Sequence, residues 1–376
     1  MYAMRHARLA EGTLVPMLVA GRACHNGGAP LTAHPPAGAV RQWPEPMFGQ
    51  YASSLVPMAS VIDAIAAEAP CAQPGHSAPY TPGPPCLSPL RYPGGKRRLL
   101  RYVAHTLAAN GLRPVLYVEP FAGGASVALQ LLCDGVVDTI GLVDRDPLIA
   151  AFWRTVFWET EWLVEQIRTY PVTLDRWHLF RRVSPRDRRW AGFACLFLNR
   201  TSFSGILAPR AGPLGGTRNP DPQMFGCRFP RDTLVRRVQT IAAMRDRVRF
   251  IWQLDWHQAI GRIRDMQSRR TLPRNVFYYC DPPFVDKAER LYSWYFKPAD
   301  HRRLRDALMR MGPWEEPWLL SYDSLPAVQQ LYGDAPGMVL IDRYYTTKRL
   351  ISGRPLFAEA IVTNLPRVPK PRRVGA

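Results

Sequence analysis

Residues 114–146, PVLYVEPFAGGASVALQLLCDGVVDTIGLVDRD, constrain the fold of this chain more than any other stretch. A short apolar run rich in β-branched and aromatic residues (114–121) gives way to two glycines. Apolar residues at helical spacing follow (123–135), and a second apolar run ends on acids (139–146). Strand, glycine turn, helix and strand in that order form the opening unit of a doubly wound α/β sheet. Helical periodicity flanks the unit at KRRLLRYVAHTLAA (96–109) and PLIAAFWRTVFW (147–158). Further strands are expected at NVFYYCDPPF (275–284), PWLLSYDS (317–324) and AEAIVTNLP (358–366). The fold class is therefore α/β, Rossmann-like, with a mostly parallel sheet.

The two ends of the chain read differently. Residues 1–87 are rich in proline and alanine, as in AHPPAGAVRQWPEP and CAQPGHSAPYTPGPPC, and read as a disordered extension with one short helix at 59–69. The apolar patch near the start is interrupted by Glu11 and Arg22, and no cleavage site follows, so a signal peptide is not expected. No apolar run is long enough for a membrane span. Residues 161–250 are basic and irregular, with RRVSPRDRRW and RFPRDTLVRRVQ, and read as an insertion with its own task. They divide a main domain into 88–160 and 251–366, and residues 367–376 form a basic tail.

Seven cysteines lack metal-type spacing, so neither a metal site nor a disulfide framework is expected. The net charge of +19 favours a polyanionic partner, because lysine and arginine neutralise phosphates and release counterions.

The chemistry gathers at strand ends. Asp281 closes the run YYC, and Pro282 and Pro283 stiffen the backbone after it without offering an N–H donor. The acid and the Pro282 carbonyl can both accept from one amino group, and Phe284 can stack on the ring that carries it. Cys280 reads as a core residue. The glycine turn allows a ligand to approach the protein backbone closely, and Asp144 could accept the hydroxyls of a ribose. Asp144 could equally cap the helix that starts at Pro147. In RYPGGK, Tyr92 could pack on an anionic ligand and Lys96 pair with it, although a solvated helix face is the ordinary role of such a lysine.

The order RYPGGK, VEPFAGGASVAL, LVDRD, LNRTSFSGIL, YYCDPPF resembles the Dam-type DNA adenine-N6 methyltransferases over about residues 88–366. The resemblance implies a methyltransferase fold with an inserted, mainly helical or irregular target-recognition domain, and S-adenosylmethionine as methyl donor without a metal. On the matching positions it implies that Tyr92, Lys96, Phe121, Gly123, Gly124, Asp144 and the pair Asp255 and Trp256 hold the donor. Asp281 would stand between donor and base, with Pro282, Pro283 and Phe284 completing the catalytic motif. Asn199 and Arg200 would contact DNA.

The chain departs from the family pattern at Phe284, where tyrosine is usual, at Pro93, and at TSFSGIL after the NR pair. The implied partner is double-stranded DNA, bound by a cytoplasmic monomer, with a cognate restriction endonuclease as a second candidate partner. The same amino-group chemistry fits cytosine-N4 methylation. RNA or protein amide methylation and an inactive DNA-binding relative are further alternatives.

Overall fold

The computed structural model of the protein describes residues 80–91, 95–183, 185–216, 222–285, 294–323, 326–343 and 357–370. The helix expected at 59–69 and the residues Tyr92 and Pro93 lie outside the described residues. The extension up to residue 79 and the tail beyond residue 370 also lie outside them.

Runs that are apolar throughout form strands buried on both faces, as parallel sheets require. β1 (Leu116–Glu119) and β4 (Val276–Cys280) are buried at every position. β2 (Thr139–Asp144), β3 (Val248–Gln253), β5 (Trp318–Asp323), β6 (Gly337–Arg343) and β7 (Phe357–Thr363) complete a seven-stranded sheet of order β3-β2-β1-β4-β5-β7-β6. The strands β1 to β5 run parallel, while β7 lies antiparallel between β5 and β6. The fold is thus mixed α/β with a mostly parallel sheet. The chain moves outward from β1 to β3 and then returns to β4 on the other side of β1, so the topological switch point lies between β1 and β4. Ligands of open α/β sheets bind outside the carboxyl ends of the strands at such a point.

Alternate strand residues feed opposite faces. Tyr117, Ile140, Leu142, Phe277 and Tyr279 enter one core cluster, and Leu116, Val118, Val143, Tyr278 and Cys280 enter the other. A 3-10 turn (Lys96–Leu99) leads into α1 (Leu100–Ala109). α2 (Ser126–Cys133) follows β1, and α3 (Pro147–Trp158) follows β2.

The stretch that reads as irregular from its residues, and as helical or irregular by the resemblance, is mainly helical: α4 (Thr160–Thr169), α5 (Leu174–Arg182), α6 (Arg188–Thr201), α7 (Pro222–Gly226) and α8 (Arg231–Ala242). These helices share the core of the first sheet face. Phe193, Phe197 and Leu234 join Phe152 and Trp153 in one cluster. Gly192 lets α6 approach α3, since a Cβ there would collide with the Thr155 side chain. Several of the arginines that make the sequence look irregular, among them Arg182, Arg188, Arg189 and Arg236, occupy exposed faces of amphipathic helices. α9 (Trp256–Ser268), α10 (Pro298–Met309) and α11 (Pro326–Tyr332) complete the described helices.

Residues 80–90 join the fold ahead of α1. Cys86 is buried, and its N–H donates to Gln130 Oε1 of α2 at 2.8 Å. Tyr80 donates its hydroxyl hydrogen to Asp134. No described helix is long and apolar enough to cross a membrane.

Candidate active site

A cleft opens at the carboxyl ends of β1, β2 and β4. Among its lining residues are Lys96, Glu119, Gly123, Asp144, Asp281 and Trp294, and it encloses about 1130 Å³ with its open mouth included. Of the residues singled out in the sequence, Phe121, Gly124, Asp255 and Trp256 also line it. Five stretches far apart in the chain therefore meet at the switch point.

The glycine turn is held from both sides. Gly123 donates its N–H to Asp144 Oδ2 at 2.9 Å, and its carbonyl accepts from Trp153 Nε1 at 2.9 Å. Gly123 has φ of +44°, and Ala125 at φ +48° enters the left-handed region without the freedom of glycine. Beneath the turn, Glu119 Oε1 accepts from Ala128 N at 2.8 Å, which satisfies one of the free donors at the start of α2. Asp144 also accepts from Asp146 N at 2.8 Å. The cap of α3 is Asp146, which accepts from Leu148 N, so the capping role considered for Asp144 belongs to its neighbour.

Asp281 is fixed by two donors on one oxygen. Lys96 Nζ lies 3.0 Å from Oδ1, and Ser321 Oγ donates to the same atom at 3.1 Å. Oδ2 has no partner among the described residues, and the side chain keeps 27% exposure. Lys96 is itself buried, pairs with Glu359 as well, and sits 5.0 Å from the centre of the Phe284 ring. The solvated role considered for Lys96 is thereby corrected: the 3-10 turn aims its side chain inward. Pro282 is buried, whereas Pro283 and Phe284 are half-buried. Cys280 is fully buried in the core, as expected.

Burial dominates the electrostatics of the acids. Desolvation pushes the Glu119 carboxyl up to about 8, with Asp281 adding to the rise and the Ala128 N–H opposing it. It pushes Asp144 up to about 7, helped by Asp146. Asp281 is raised to about 6 by desolvation, against the pull of Lys96 and with a push from Glu359. A cleft whose acids resist ionisation favours a ligand that brings positive charge or hydroxyl donors.

Asp255 caps α9 by accepting from His257 N at 3.0 Å and lies 3.3 Å from Arg303. Trp256 is almost fully buried. Both belong to the far wall, where Arg145 packs 4.5 Å from the ring centre of Trp294. Trp294, Tyr295 and Phe296 add an aromatic wall that sequence reasoning missed. They follow no periodic pattern, and only clustering of rings close after the acid-proline-proline motif could have marked them.

Asn199 and Arg200 do not reach a surface where they could touch a duplex. Asn199 is fully buried, accepts from Arg91 N at 2.7 Å and donates to the carbonyls of Arg91 (2.9 Å) and Gly205 (2.7 Å). Arg200 is buried and donates to the Pro89 carbonyl at 2.7 Å. The expected DNA contact is corrected to a supporting role: the last turn of α6 points these side chains at irregular backbone that has no other partners. Gly205 lines the cleft.

The exposed residues nearby are different ones. Phe203 is 65% exposed, beside Ser204 at φ +55°. Arg228 is exposed and Arg91 and Arg237 are half-exposed around Arg200, whose charge is disfavoured by burial and by these three guanidinium groups. No protein-family model matches the chain.

Proposed function

We propose that the protein is a DNA methyltransferase of the Dam type that transfers a methyl group from S-adenosylmethionine to N6 of an adenine extruded from duplex DNA. The observation that carries this reading is the placement of Asp281. The acid lines the same cleft as the Gly123–Gly124 turn and Asp144, with one oxygen held by Lys96 and Ser321. The alternation of strands and helices and the mostly parallel sheet suit a methyltransferase-type Rossmann fold, with the helices between β2 and β3 as the recognition segment.

The residues present fit the donor. Glu119, Asp144, Asp146, Asp255 and Asp281 line the cleft with few basic groups among them, an arrangement that suits a ligand bearing a sulfonium, an ammonium and ribose hydroxyls. Asp144 and the glycine turn would hold it, with Phe121 and Trp256 as apolar walls. When bound, S-adenosylmethionine supplies an electrophilic methyl group.

The chain's own residues then act on the base. A stacked adenine cannot reach a cleft at a strand edge, so it must be extruded at a cost of a few kcal/mol. Phe203 offers an exposed ring that can fill the gap left in the stack. Phe284 stacks on the extruded base, and Asp281 Oδ2 and the Pro282 carbonyl accept its two N6 hydrogens. Two acceptors draw the amino nitrogen towards tetrahedral geometry and aim its lone pair, so the gain comes from alignment and electrostatics. Asp281 then accepts the proton that leaves after transfer. The arginines around Arg91 and Arg228 suit phosphate contacts that set register without reading sequence. The working form would be a cytoplasmic monomer on double-stranded DNA, alone or beside a restriction endonuclease.

The test is to incubate the full chain with S-adenosylmethionine and duplex DNA and to identify modified nucleosides by mass spectrometry. N6-methyladenine is expected. N4-methylcytosine would move the reading to the cytosine alternative. Binding of DNA with no binding of S-adenosylmethionine in calorimetry would leave only a DNA-binding relative.

A further inference from the structure

Glu359 belongs to no motif in the sequence, yet it is 2% exposed and ion-paired with Lys96, which lines the cleft. Topology brings it there. The strands β1, β2 and β4 end at the cleft and β5 runs parallel to them, so a strand running the same way would place its last residues on the side of Asp281. β7 runs in the opposite direction, and its register pairs Glu359 with Asp323 of β5 and with Ile341 of β6. Its first residues therefore lie at the carboxyl edge. Lys96, from the 3-10 turn on the other side, reaches between the two acids.

We propose that Glu359 is the positioning residue of this centre: it holds the Lys96 ammonium against Asp281 and so fixes which Asp281 oxygen remains open to an amino group. The argument is geometric. A lysine chain has four rotatable bonds, and a single carboxylate partner would leave its ammonium free to swing about that partner. A second carboxylate, fixed in a strand, confines it. With Lys96 and Ser321 both on Oδ1, Oδ2 is left open to receive a hydrogen bond.

Glu359 cannot take the part of Asp281, because it is almost wholly buried. Nor is it a mere counter-charge that stabilises the fold. Replacing a whole buried ion pair by apolar groups is often neutral, so pairing energy alone does not account for a buried Lys–Glu pair beside Asp281.

The inference rests on Asp281 being the group that meets substrate, and its test separates the two. The charged and titratable groups facing Asp281 are Lys96, Glu359 on β7, Glu119 and Tyr117 on β1, and Tyr279 and Cys280 on its own strand. Among these, Glu359 opposes ionisation of Asp281 directly and shares its lysine. Replacing it by glutamine removes a like charge, which favours the ionised acid.

The experiment is a carbon-13 titration of the full chain labelled at aspartate carboxyls, with the Asp281 signal assigned by its absence in Asp281→Asn. In Glu359→Gln the Asp281 midpoint is expected to fall by about one pH unit. Glu359→Asp, which keeps the charge, should return the midpoint most of the way and covers the case in which the glutamine variant does not fold. An unchanged midpoint in a folded Glu359→Gln variant overturns the proposal. Methyl transfer measured over the same pH range should lose rate in Glu359→Gln with its acid limb displaced downwards, whereas uniform loss without displacement marks a purely structural role and also overturns it. If the unaltered protein methylates no DNA, the functional reading falls, while the titration still decides the role of Glu359.

Discussion

Gly123 and Asp144 are joined by a hydrogen bond of 2.9 Å from the glycine N–H to Oδ2, which ties the turn after β1 to the last residue of β2. The bond fixes the floor of the cleft, and it makes Asp144 hold the backbone as well as line the cleft.

Asp144→Ala is expected to lower S-adenosylmethionine affinity at least tenfold in calorimetry. It should also destabilise the fold by about 1–3 kcal/mol, because the Gly123 and Asp146 N–H groups lose their acceptor. Asp146→Ala, which removes the cap of α3 as well as one acid of the cleft lining, should cost about 1 kcal/mol of stability. A thermal melt alongside each titration separates the two effects.

Asp281→Ala is expected to abolish methyl transfer while largely sparing DNA binding. In the unaltered protein the rate should fall as pH drops through about 6, because protonation removes the acceptor that receives the amino hydrogen. A pH–rate profile with saturating donor and DNA checks the direction. A rate that rises on acidification would contradict the role given to Asp281.

Glu119→Gln is expected to flatten the pH dependence of stability. The carboxyl titrates at about 8 in the fold and near 4.5 when exposed, so the folded state holds the extra proton between those values. Stability therefore falls as pH rises from 4.5 to 8, and glutamine, which mimics the neutral acid, removes that slope. The effect is a few kcal/mol at most, since each pH unit of displacement is worth about 1.4 kcal/mol. Denaturant unfolding of both proteins at pH 5 and pH 8.5 measures it.

Asn199→Ala is expected to cost about 2–3 kcal/mol of stability, because one buried and two partly buried backbone groups lose their partner at once. A residue that touched DNA would instead weaken binding and leave the melt unchanged. The change Arg228→Ala, at an exposed side chain, should do the latter. It should lower duplex affinity and reduce the slope of log affinity against log salt by about one for each phosphate that is no longer neutralised. Anisotropy titrations at several salt concentrations distinguish the two residues.

The opening β-turn-α-β unit, the helix at α3 and the acid at the end of β4 are legible in the sequence because each depends on neighbours within a few residues. Periodicity, glycine at a turn and proline after a strand are local properties, and local properties survive in a linear string. The sequence alone thus determined that Asp144 and Asp281 would stand at strand ends beside a glycine turn. It did not show β3 or β6 as strands, and it left residues 161–250 irregular where amphipathic helices form.

What surrounds Asp281 was decided by tertiary structure. Ser321 lies 40 positions away and arrives because Cys280 pairs with Leu320. Glu359 arrives because β7 is reversed, and Lys96 turns inward because two carboxylates, the buried Glu359 and the partly exposed Asp281, compensate its charge. Asn199 and Arg200 are buried for a similar reason, since loop backbone beside α6 needed partners that water could not reach. Strand order and direction, and the requirement that buried polar groups find one another, are properties of the whole sheet, and no short window of sequence contains them.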